Sequence, residues 1–322
     1  MVVLCRSEIR GKVLVLAVTI GVIGMLHYLT PTEPHSYHKL HIILRKLYFL
    51  PPVMAAAWFG MRGACVTAFV VSILFILHAF LDWPGNYMEQ ANQVGELAGF
   101  WGVGVIAGRL FDRQRVLMRK LADANESTLL GLVSALDLRE HNTRLHSQRV
   151  RQYADLIAGH FGVDTKTRQD ISYGALLHDI GKIAVPDRIL LKPGKLTDEE
   201  WAEMRKHPEA GFHILKQIGF LEGAARIVHA HHERYDGKGY PEGTRGEAIP
   251  VGARIFMVAD VYDALTSPRP YRSAVSHHEA AMEILKDKGS HFDPAVVTVF
   301  AEIAPAEFAS IFKRFQDEDL HI

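Results

Sequence analysis

The chain has 322 residues with 36 basic and 36 acidic side chains, a balance that provides no argument for a nucleic-acid-binding surface. Its length allows about two domains. Its two cysteines, Cys5 and Cys65, lie in or beside apolar stretches and exclude a disulfide framework, as is typical of a chain whose working part lies in a reducing compartment.

Charged residues divide the chain into two parts. Residues 1–110 contain 13 charged side chains, whereas residues 111–322 contain 59. A charge-poor, apolar region can lie in a lipid bilayer, and a charge-rich region requires water. We therefore predict a membrane region over residues 1–110 and a water-soluble domain after it.

The membrane region is predicted to cross the bilayer four times. A span requires about 20 apolar residues. The predicted spans are residues 13–30, 40–60, 63–81 and 92–110. The first and third contain no formal charge, whereas Arg45 and Lys46 in the second would have to reach an interface, and the fourth carries Glu96 near one end.

Basic residues on both sides of the predicted spans indicate the topology. They are Arg6, Arg10 and Lys12 before the first span and Arg109, Arg113, Arg115, Arg119 and Lys120 at and after the end of the last. The positive-inside rule places both clusters in the cytoplasm, so the number of crossings is even, and four fits.

Histidines are frequent around the first predicted outer loop. They are His27, His35, His38, His41 and, approaching the same side, His78. Such a set could hold a metal ion or a haem, or its members could be polar interface residues without a ligand. The stretch from His41 to Gly60 loosely resembles membrane sensor modules that precede some bacterial histidine kinases.

Residues 111–140 contain no proline and are predicted to form one helix. Apolar residues recur along it at Leu117, Leu121, Ala124, Leu129, Val133 and Leu136. We interpret residues 111–127 as a linker helix that pairs with a second copy and the following part as a helix packed on its own domain. The alternative is one ordinary amphipathic helix that packs on its own domain throughout.

The rest of the chain shows helical periodicity with few alternating stretches, which predicts an all-α fold.

The histidines and aspartates of this region could bind metal ions, because imidazoles and carboxylates without thiolates suit Fe, Mn or Zn. His178 and Asp179 are adjacent, and successive helical side chains point about 100° apart, so the two can flank one cluster while the carboxylate bridges two ions. His231 and His232 repeat this arrangement. The pattern favours two metals, which stabilise the attacking and leaving oxygens of a phosphoryl displacement.

Several ordered blocks carry a family resemblance. They are LLHDIGKIAVPDRILLKPGKL (Leu176–Leu196), HHERYDGKGYP (His231–Pro241), ADVYDALTSPRPYR (Ala259–Arg272) and GSHFDP (Gly289–Pro294). Residues 128–322 therefore resemble an HD-GYP domain, the variant of the HD phosphohydrolase superfamily associated with cyclic di-GMP. The resemblance implies an all-helical enzyme of bacterial second-messenger signalling that hydrolyses cyclic di-GMP to linear di-GMP, GMP or both. Together with the predicted spans and the positive-inside rule, it predicts an enzyme anchored in the bacterial inner membrane with its catalytic domain in the cytoplasm.

The same resemblance implies the metal ligands. They are His146, His178, Asp179, His207, His231, His232 and Asp260, with Asp179 as the catalytic bridge between two Fe or Mn ions. Some family members place a Glu four residues before the first His ligand and hold a third metal. Asn142 stands at that position here, so we predict two ions. The neighbouring histidines His141, His213 and His229 are interpreted as surface residues or as supports of the ligands.

Substrate contacts are predicted from charge and from the resemblance. Lys182, three residues after Asp179, is expected to hold a phosphate oxygen and to offset negative charge in the transition state. Arg269 and Arg272 stand where similar proteins contact phosphate; the alternative for each cation is a surface salt bridge. Tyr240 lies in a loop rich in Gly and Pro, where it could stack on guanine or pack as a structural residue. The resemblance also suggests that this loop contacts proteins that synthesise cyclic di-GMP.

Two other functions stay open. The domain could bind cyclic di-GMP as a sensor without hydrolysing it, although a pure sensor could lose Lys182 or a metal ligand and this chain retains them. It could also hydrolyse another cyclic dinucleotide or a nucleotide, because the residues that recognise the bases cannot be placed from the sequence.

Overall fold

The computed structural model describes residues 6–30, 38–82, 87–140, 145–268 and 273–319. The secondary structure of these ranges is helical, with no β-strand among them, which confirms the predicted all-α fold. Contacts divide the chain into two compact units, which we term the N-terminal unit (residues 1–124) and the C-terminal unit (residues 125–322).

The N-terminal unit is built from long helices. They are α1 (Arg6–Leu29), α2 (His38–Leu47), α3 (Leu50–Asp82) and α4 (Tyr87–Glu140), whose last part belongs to the C-terminal unit. Three segments of the described N-terminal residues and α4 are long and apolar enough to cross a membrane: Arg6–Leu29, Lys39–His78 and Val94–Arg139. The predicted fourth span and the predicted linker helix are therefore parts of one helix, α4.

The helix boundaries in the segment Lys39–His78 differ from the predicted span over residues 40–60. Helix α2 ends at Leu47 and α3 begins at Leu50. Two prolines, Pro51 and Pro52, follow in the first turn of α3, where the missing N–H groups would have no partner within the helix. A periodicity argument cannot detect this break, because both helices are apolar.

Helix α3 is interrupted at Gly60, whose φ of 69° and ψ of −153° are not helical. A positive φ strains any residue with a Cβ atom, and a Cβ at this position would also overlap the carboxylate of Asp112. The Asp112 Oδ2 atom accepts a hydrogen bond of 2.9 Å from the backbone N–H of Met61. Asp112 therefore provides a hydrogen bond at the interruption of the helix.

The charges of α2 pair with a carboxylate of α4. Arg45 is buried, and its Nη2 lies 2.9 Å from Oε1 of Glu96. Lys46 Nζ lies 2.8 Å from the same oxygen, and its side chain is 56% exposed. Glu96 thus neutralises the buried guanidinium, which makes the burial of Arg45 tolerable in an apolar unit.

The C-terminal unit contains ten helices among the described residues after α4. They are α5 (His146–Phe161), α6 (Thr165–Leu177), α7 (Asp187–Leu190), α8 (Asp198–Met204), α9 (His207–Leu215), α10 (Glu222–Ala230), α11 (Val251–Thr266), α12 (His277–Lys286), α13 (Pro294–Glu302) and α14 (Pro305–Asp319). A short 3-10 turn, Ile180–Ala184, follows α6.

Local capping explains why several of these helices begin where they do. Asp164 accepts hydrogen bonds from the first backbone N–H groups of α6. Thr197 and Ser276 each form a capping box, with Glu200 in α8 and with Glu279 in α12. A side-chain acceptor at this position satisfies N–H groups that have no partner within the helix.

Two apolar clusters hold the C-terminal unit together. The larger one joins α5 and α11 to α13 and α14, with Phe256, Phe292, Phe300 and Phe308 among its fully buried side chains. The smaller one joins the end of α4, through Leu129 and Val133, to α6 and α10. The elements that carry the predicted metal ligands are thus fixed on packed cores.

Candidate metal centre

Three predicted ligand histidines are oriented by the same backbone contact. In His178, His207 and His231 the Nδ1 atom lies 2.9, 2.8 and 2.5 Å from the carbonyl oxygen three residues earlier. A carbonyl oxygen only accepts, so each Nδ1 carries a hydrogen and each Nε2 is the nitrogen available to a metal. Burial lowers the pKa of His178, but the charge of Asp179 outweighs it and raises the pKa, so a cation would displace a proton from this ring. All three histidines stand at the ends of short or packed helices and present Nε2 as a potential metal ligand.

One group of possible ligands consists of His207, His231 and His232, whose ligand atoms lie within 4.8 Å of one another. The Nε2 atoms of His207 and His231 are 3.2 Å apart. Burial lowers the pKa of His207, lowers that of His231 well below its usual value, and, with the neighbouring imidazoles, lowers that of His232 to about 4. The three imidazoles are therefore neutral at pH 7, as metal binding requires.

A second group consists of His146, His178 and Asp260, again within 4.8 Å. The Nε2 of His146 lies 3.3 Å from Oδ1 of Asp260. Burial lowers the pKa of His146, but hydrogen bonds with Asp260 and Asp263 outweigh it and raise the pKa to about 10. A cation bound here would displace that proton, because a metal-bound imidazole is neutral.

Asp179 lies between the two groups. Its Oδ2 is 3.1 Å from Nε2 of His178, and its Oδ1 is 3.6 Å from Nε2 of His207. Burial raises the pKa of Asp179, but the charges of His178 and Lys182 outweigh it and hold the pKa well below its usual value. One ionised carboxylate therefore faces both groups, with one oxygen toward each.

The residues fit a pair of cations. A cation bound about 2.0–2.1 Å from two imidazole nitrogens holds those nitrogens roughly 3 Å apart. One separation in each group is of this size, 3.2 Å between Nε2 of His207 and His231 and 3.3 Å between Nε2 of His146 and Oδ1 of Asp260, and the other ligand atoms lie within 4.8 Å. The structure thus brings all seven predicted ligands together, although they come from stretches of chain as far apart as α5 and α11.

Asp263 is a member of this centre that the sequence did not reveal. It is buried, and its Oδ2 lies 2.7 Å from Nδ1 of His146. Arg149 donates to both oxygens, from Nε to Oδ1 at 2.7 Å and from Nη2 to Oδ2 at 3.0 Å. Their spacing in the sequence could have indicated both residues, because Asp263 follows Asp260 by one turn of α11 and Arg149 follows His146 by one turn of α5.

The backbone of the turn after Asp179 lies very close to the backbone of α9. A Cβ on Gly181 would overlap the carbonyl oxygen of His207 and the backbone nitrogen of Gly211. Only glycine allows the turn after Asp179 to lie this close to the start of α9. The approach sets the distance between Asp179 and His207.

A cavity of ≈ 280 Å³ adjoins the centre. Its wall includes His231, His232 and Asp260 together with the cations Arg205, Arg234 and Lys238. The three cations were not predicted, although Arg234 and Lys238 lie within the HHERYDGKGYP block. A cavity that joins potential metal ligands to several cations suits an anionic ligand.

Tyr240 lies in the wall of this cavity. Its ring stacks on His232, with 4.7 Å between centroids, and the guanidinium carbon of Arg205 lies 5.5 Å from the ring centroid. Burial raises the pKa of Tyr240 to about 12, so the phenol is neutral at pH 7. The loop of Tyr240 is anchored because the N–H groups of Tyr235 and Asp236 donate to the carbonyl oxygens of His291 and Ser290.

Of the predicted phosphate-binding cations, Lys182 lies within the described residues and next to the metal centre. Its Nζ lies 2.7 Å from Oδ2 of Asp179, beside both groups of ligands. Arg269 and Arg272 lie outside the described residues, as does Asn142.

Comparisons with known proteins identify the family of the chain. The family model described as HD domain matches residues 132–296. Over 188 residues the chain is 43% identical to the cyclic di-GMP phosphodiesterase response regulator RpfG of Xanthomonas campestris, covering 57% of this chain and 50% of the relative. Over 279 residues it is 36% identical to a cyclic di-GMP phosphodiesterase of Vibrio cholerae, covering 79% and 56%.

A third relative has a different substrate in its name. The chain is 38% identical over 188 residues to the 3′3′-cGAMP-specific phosphodiesterase 2 of Vibrio cholerae, covering 58% of this chain and 36% of the relative. The chain spans about half the length of the first two of these relatives. Because the family match covers half of the chain and includes both groups of possible ligands, the chain belongs to the HD domain family.

Proposed function

We propose that the C-terminal unit is a metal-dependent phosphodiesterase that hydrolyses cyclic di-GMP to linear di-GMP, GMP or both. The position of Asp179 between two groups of ligands carries this proposal. One cation would be held by His146, His178 and Asp260, the other by His207, His231 and His232, and Asp179 would serve both. Such a pair supplies neutralisation of the phosphodiester charge and activation of water.

The ligand chemistry supports Fe or Mn as the native ions. Together the two groups offer imidazole and carboxylate ligands and no thiolate, a combination that Fe and Mn accept readily. Two ions rather than three are proposed, because Asn142 offers an amide oxygen where a third cation would need a carboxylate.

The cations of the chain itself would bind and orient the substrate. Lys182 is held beside Asp179, from where its ammonium group can contact a phosphate oxygen and offset charge that develops during cleavage. Arg269 and Arg272 are proposed as further phosphate contacts. Arg205, Arg234 and Lys238 line the cavity that adjoins the centre, and a cyclic dinucleotide carries two phosphodiester anions for them to pair with. Tyr240, in the same cavity, offers an aromatic face for guanine.

A different cyclic dinucleotide is the second candidate. One relative of 38% identity is named for 3′3′-cGAMP rather than for cyclic di-GMP. The two substrates share the sugar-phosphate ring and differ in one base. The proposed metal ligands and Lys182 would therefore serve either of them, and base contacts would decide between them.

The N-terminal unit is proposed to anchor the enzyme in the bacterial inner membrane with the C-terminal unit in the cytoplasm. Three apolar helical segments support the anchor, and the flanking basic clusters support the orientation. A reporter fused after residue 322 should indicate the cytoplasm, and a periplasmic signal would contradict the orientation.

Assembly is proposed through two surfaces. Leu117 and Leu121 in α4 are 53% and 57% exposed, which supports pairing of the linker helix with a second copy. Leu129 and Val133, further along α4, pack into their own core instead. The loop that contains Tyr240 is the proposed contact with synthases of cyclic di-GMP.

Hydrolysis by the purified full chain tests the function. Detergent-solubilised protein loaded with Fe or Mn without oxygen should convert cyclic di-GMP, followed by product chromatography, faster than 3′3′-cGAMP. Asp179→Ala should lose about 1000-fold or more of this activity, since metal-ion charge stabilisation is worth several kcal/mol. Asp155→Ala, which removes an exposed carboxylate paired with Arg168, is the matched control. Metal-loaded protein that binds cyclic di-GMP but leaves it intact over hours would support the sensor function instead.

A further inference from the structure

A second cluster of histidines lies in the N-terminal unit, within one end of its helices. His27 belongs to the last turn of α1, His41 to the first turn of α2 and His78 to the end of α3. Their ring centroids are 3.9 Å apart for His27 and His78, 4.4 Å for His27 and His41, and 5.0 Å for His41 and His78. Three imidazoles from three helices therefore share one small space.

All three side chains are buried, with exposed fractions of 0% for His27, 2% for His41 and 1% for His78. Neither ring nitrogen of His27 has a hydrogen-bond partner among the residues that the structure describes. Buried polar groups almost always have a partner, and an orphaned one calls for a specific explanation such as an ion. Packing alone does not explain His27, because a leucine would fill the same space without desolvating two nitrogens.

A second polar group supports the same reading. The ring of Tyr48 packs edge-on against His27 with 5.5 Å between centroids. Its hydroxyl is buried near Gly24, one turn before His27 on α1, and has no hydrogen-bond partner within the described ranges. The cluster thus places a fourth polar group beside three imidazoles in an otherwise apolar core.

The geometry of the nitrogens suits a small cation. The Nε2 atoms of His41 and His78 are 3.0 Å apart, and ligand atoms of all three histidines lie within 4.8 Å of one another. A Zn-type cation about 2.0–2.1 Å from each nitrogen needs separations of roughly 3 Å. A haem held by two histidines needs their ligand nitrogens on opposite faces of a flat ring, and the Nε2 atoms of His41 and His78, 3.0 Å apart, leave no room for that ring.

A carboxylate partly offsets the positive charge on α2 near the cluster. Arg45 lies one turn after His41 on α2, and its guanidinium is paired with Glu96 at 2.9 Å. Lys46 also pairs with Glu96. The ligand set itself contains imidazoles without thiolates or carboxylates, a combination that suits Zn²⁺ and Cu²⁺.

We propose that His27, His41 and His78 form a metal site in the membrane region that binds one divalent transition-metal ion of the Zn²⁺ and Cu²⁺ class. The site joins α1, α2 and α3 at one end. The basic clusters of the chain assign this end to the outer side of the membrane, so the ion would come from outside the cytoplasm. The site is separate from the proposed phosphodiesterase centre and shares no residue with it.

Ion counting on the full chain in detergent tests the proposal. Wild-type protein and variants are saturated with Zn²⁺, freed of unbound ion by gel filtration and analysed by mass spectrometry for Zn per chain. His27→Ala and His78→Ser should each lose one ion per chain relative to wild type. His213→Ala, which removes an exposed histidine of the C-terminal unit, should lose none.

A pair of similar variants separates metal binding from folding. His78→Cys and His78→Ser differ in one atom, but only the thiolate is a strong ligand. His78→Cys should retain the ion that His78→Ser loses, and Cu²⁺ loaded into wild type should show nitrogen coupling in its paramagnetic resonance spectrum. Equal Zn content in wild type, His27→Ala and both His78 variants would overturn the proposal, as would purification of the chain with stoichiometric haem. The count does not depend on whether the C-terminal unit cleaves any dinucleotide.

Discussion

The Oδ2 atom of Asp263 lies 2.7 Å from Nδ1 of His146, and both side chains belong to packed helices of the C-terminal unit. This contact leaves Nε2 of His146 directed at Asp260, 3.3 Å away. A carboxylate behind a ligand histidine fixes the orientation of the ring and increases its basicity. Asp263 is therefore a positioning residue for His146, and Arg149 in turn holds Asp263.

Asp263→Asn should weaken metal binding without removing a ligand. An amide accepts less strongly than a carboxylate, so we expect metal affinity to fall by about 10- to 100-fold. Titration with Mn²⁺, monitored by bound metal, measures the effect, and excess Mn²⁺ should restore most of the activity. Asp155→Asn should leave affinity unchanged. Activity that stays low at saturating Mn²⁺ would show that Asp263 does more than position His146.

Gly181→Ala should separate Asp179 from His207. The new Cβ would overlap the carbonyl oxygen of His207, so the turn and the start of α9 must move apart. We expect a loss of about 1–3 kcal/mol in the free energy of unfolding, the usual range for overpacking. Thermal or chemical unfolding measures this loss, and metal analysis should show a lower metal content.

Gly131→Ala is the matched control for Gly181→Ala. A Cβ on Gly131, in the interior of α4, would meet nothing within 4 Å. Because alanine favours a helix more than glycine does, we expect a gain of up to about 1 kcal/mol. If both variants change the free energy of unfolding equally, the close backbone contact at Gly181 does not stabilise the protein.

Lys182→Gln should reduce turnover but not metal content. The ammonium of Lys182 now pairs with Oδ2 of Asp179, so its removal takes a competing cation away from the carboxylate. We expect a decrease of roughly 100-fold in kcat/KM, as for other lost donors to developing charge. Lys192→Gln, which breaks a pair with Glu200 away from the centre, serves as the control. Loss of metal in Lys182→Gln would indicate a structural rather than a substrate-binding role.

Tyr240→Ala and Tyr240→Phe should distinguish stacking on the substrate from simple packing. Loss of an aromatic platform for one base should raise KM for cyclic di-GMP by about 5- to 100-fold, because stacking is worth about 1–3 kcal/mol per base. Phenylalanine retains the ring and should keep KM near the wild-type value. If Tyr240→Ala lowers metal content and leaves KM unchanged, the ring only supports His232, on which it stacks.

The helical fold could be predicted from the sequence because periodicity and the lack of alternating stretches are local properties. The apolar segments of the N-terminal unit were predictable for the same reason, since hydropathy is a sum over neighbouring residues. The boundary between α2 and α3 was not, because both sides of the break are apolar. The ion pair between Arg45 and Glu96 was not predictable either, because the two residues are far apart in the chain.

The sequence by itself determined which side chains are available as ligands, because the family resemblance depends on residue types at fixed positions within each block. Only the tertiary structure assigned the other six side chains to two groups on either side of Asp179, and only the structure added Asp263 and Arg205. It also brought three of the five histidines noted in the N-terminal region, His27, His41 and His78, into one cluster. The physical reason is that a metal site requires atoms within a few ångströms. Helix packing, rather than spacing along the chain, sets such distances between α5 and α11 or between α1 and α3.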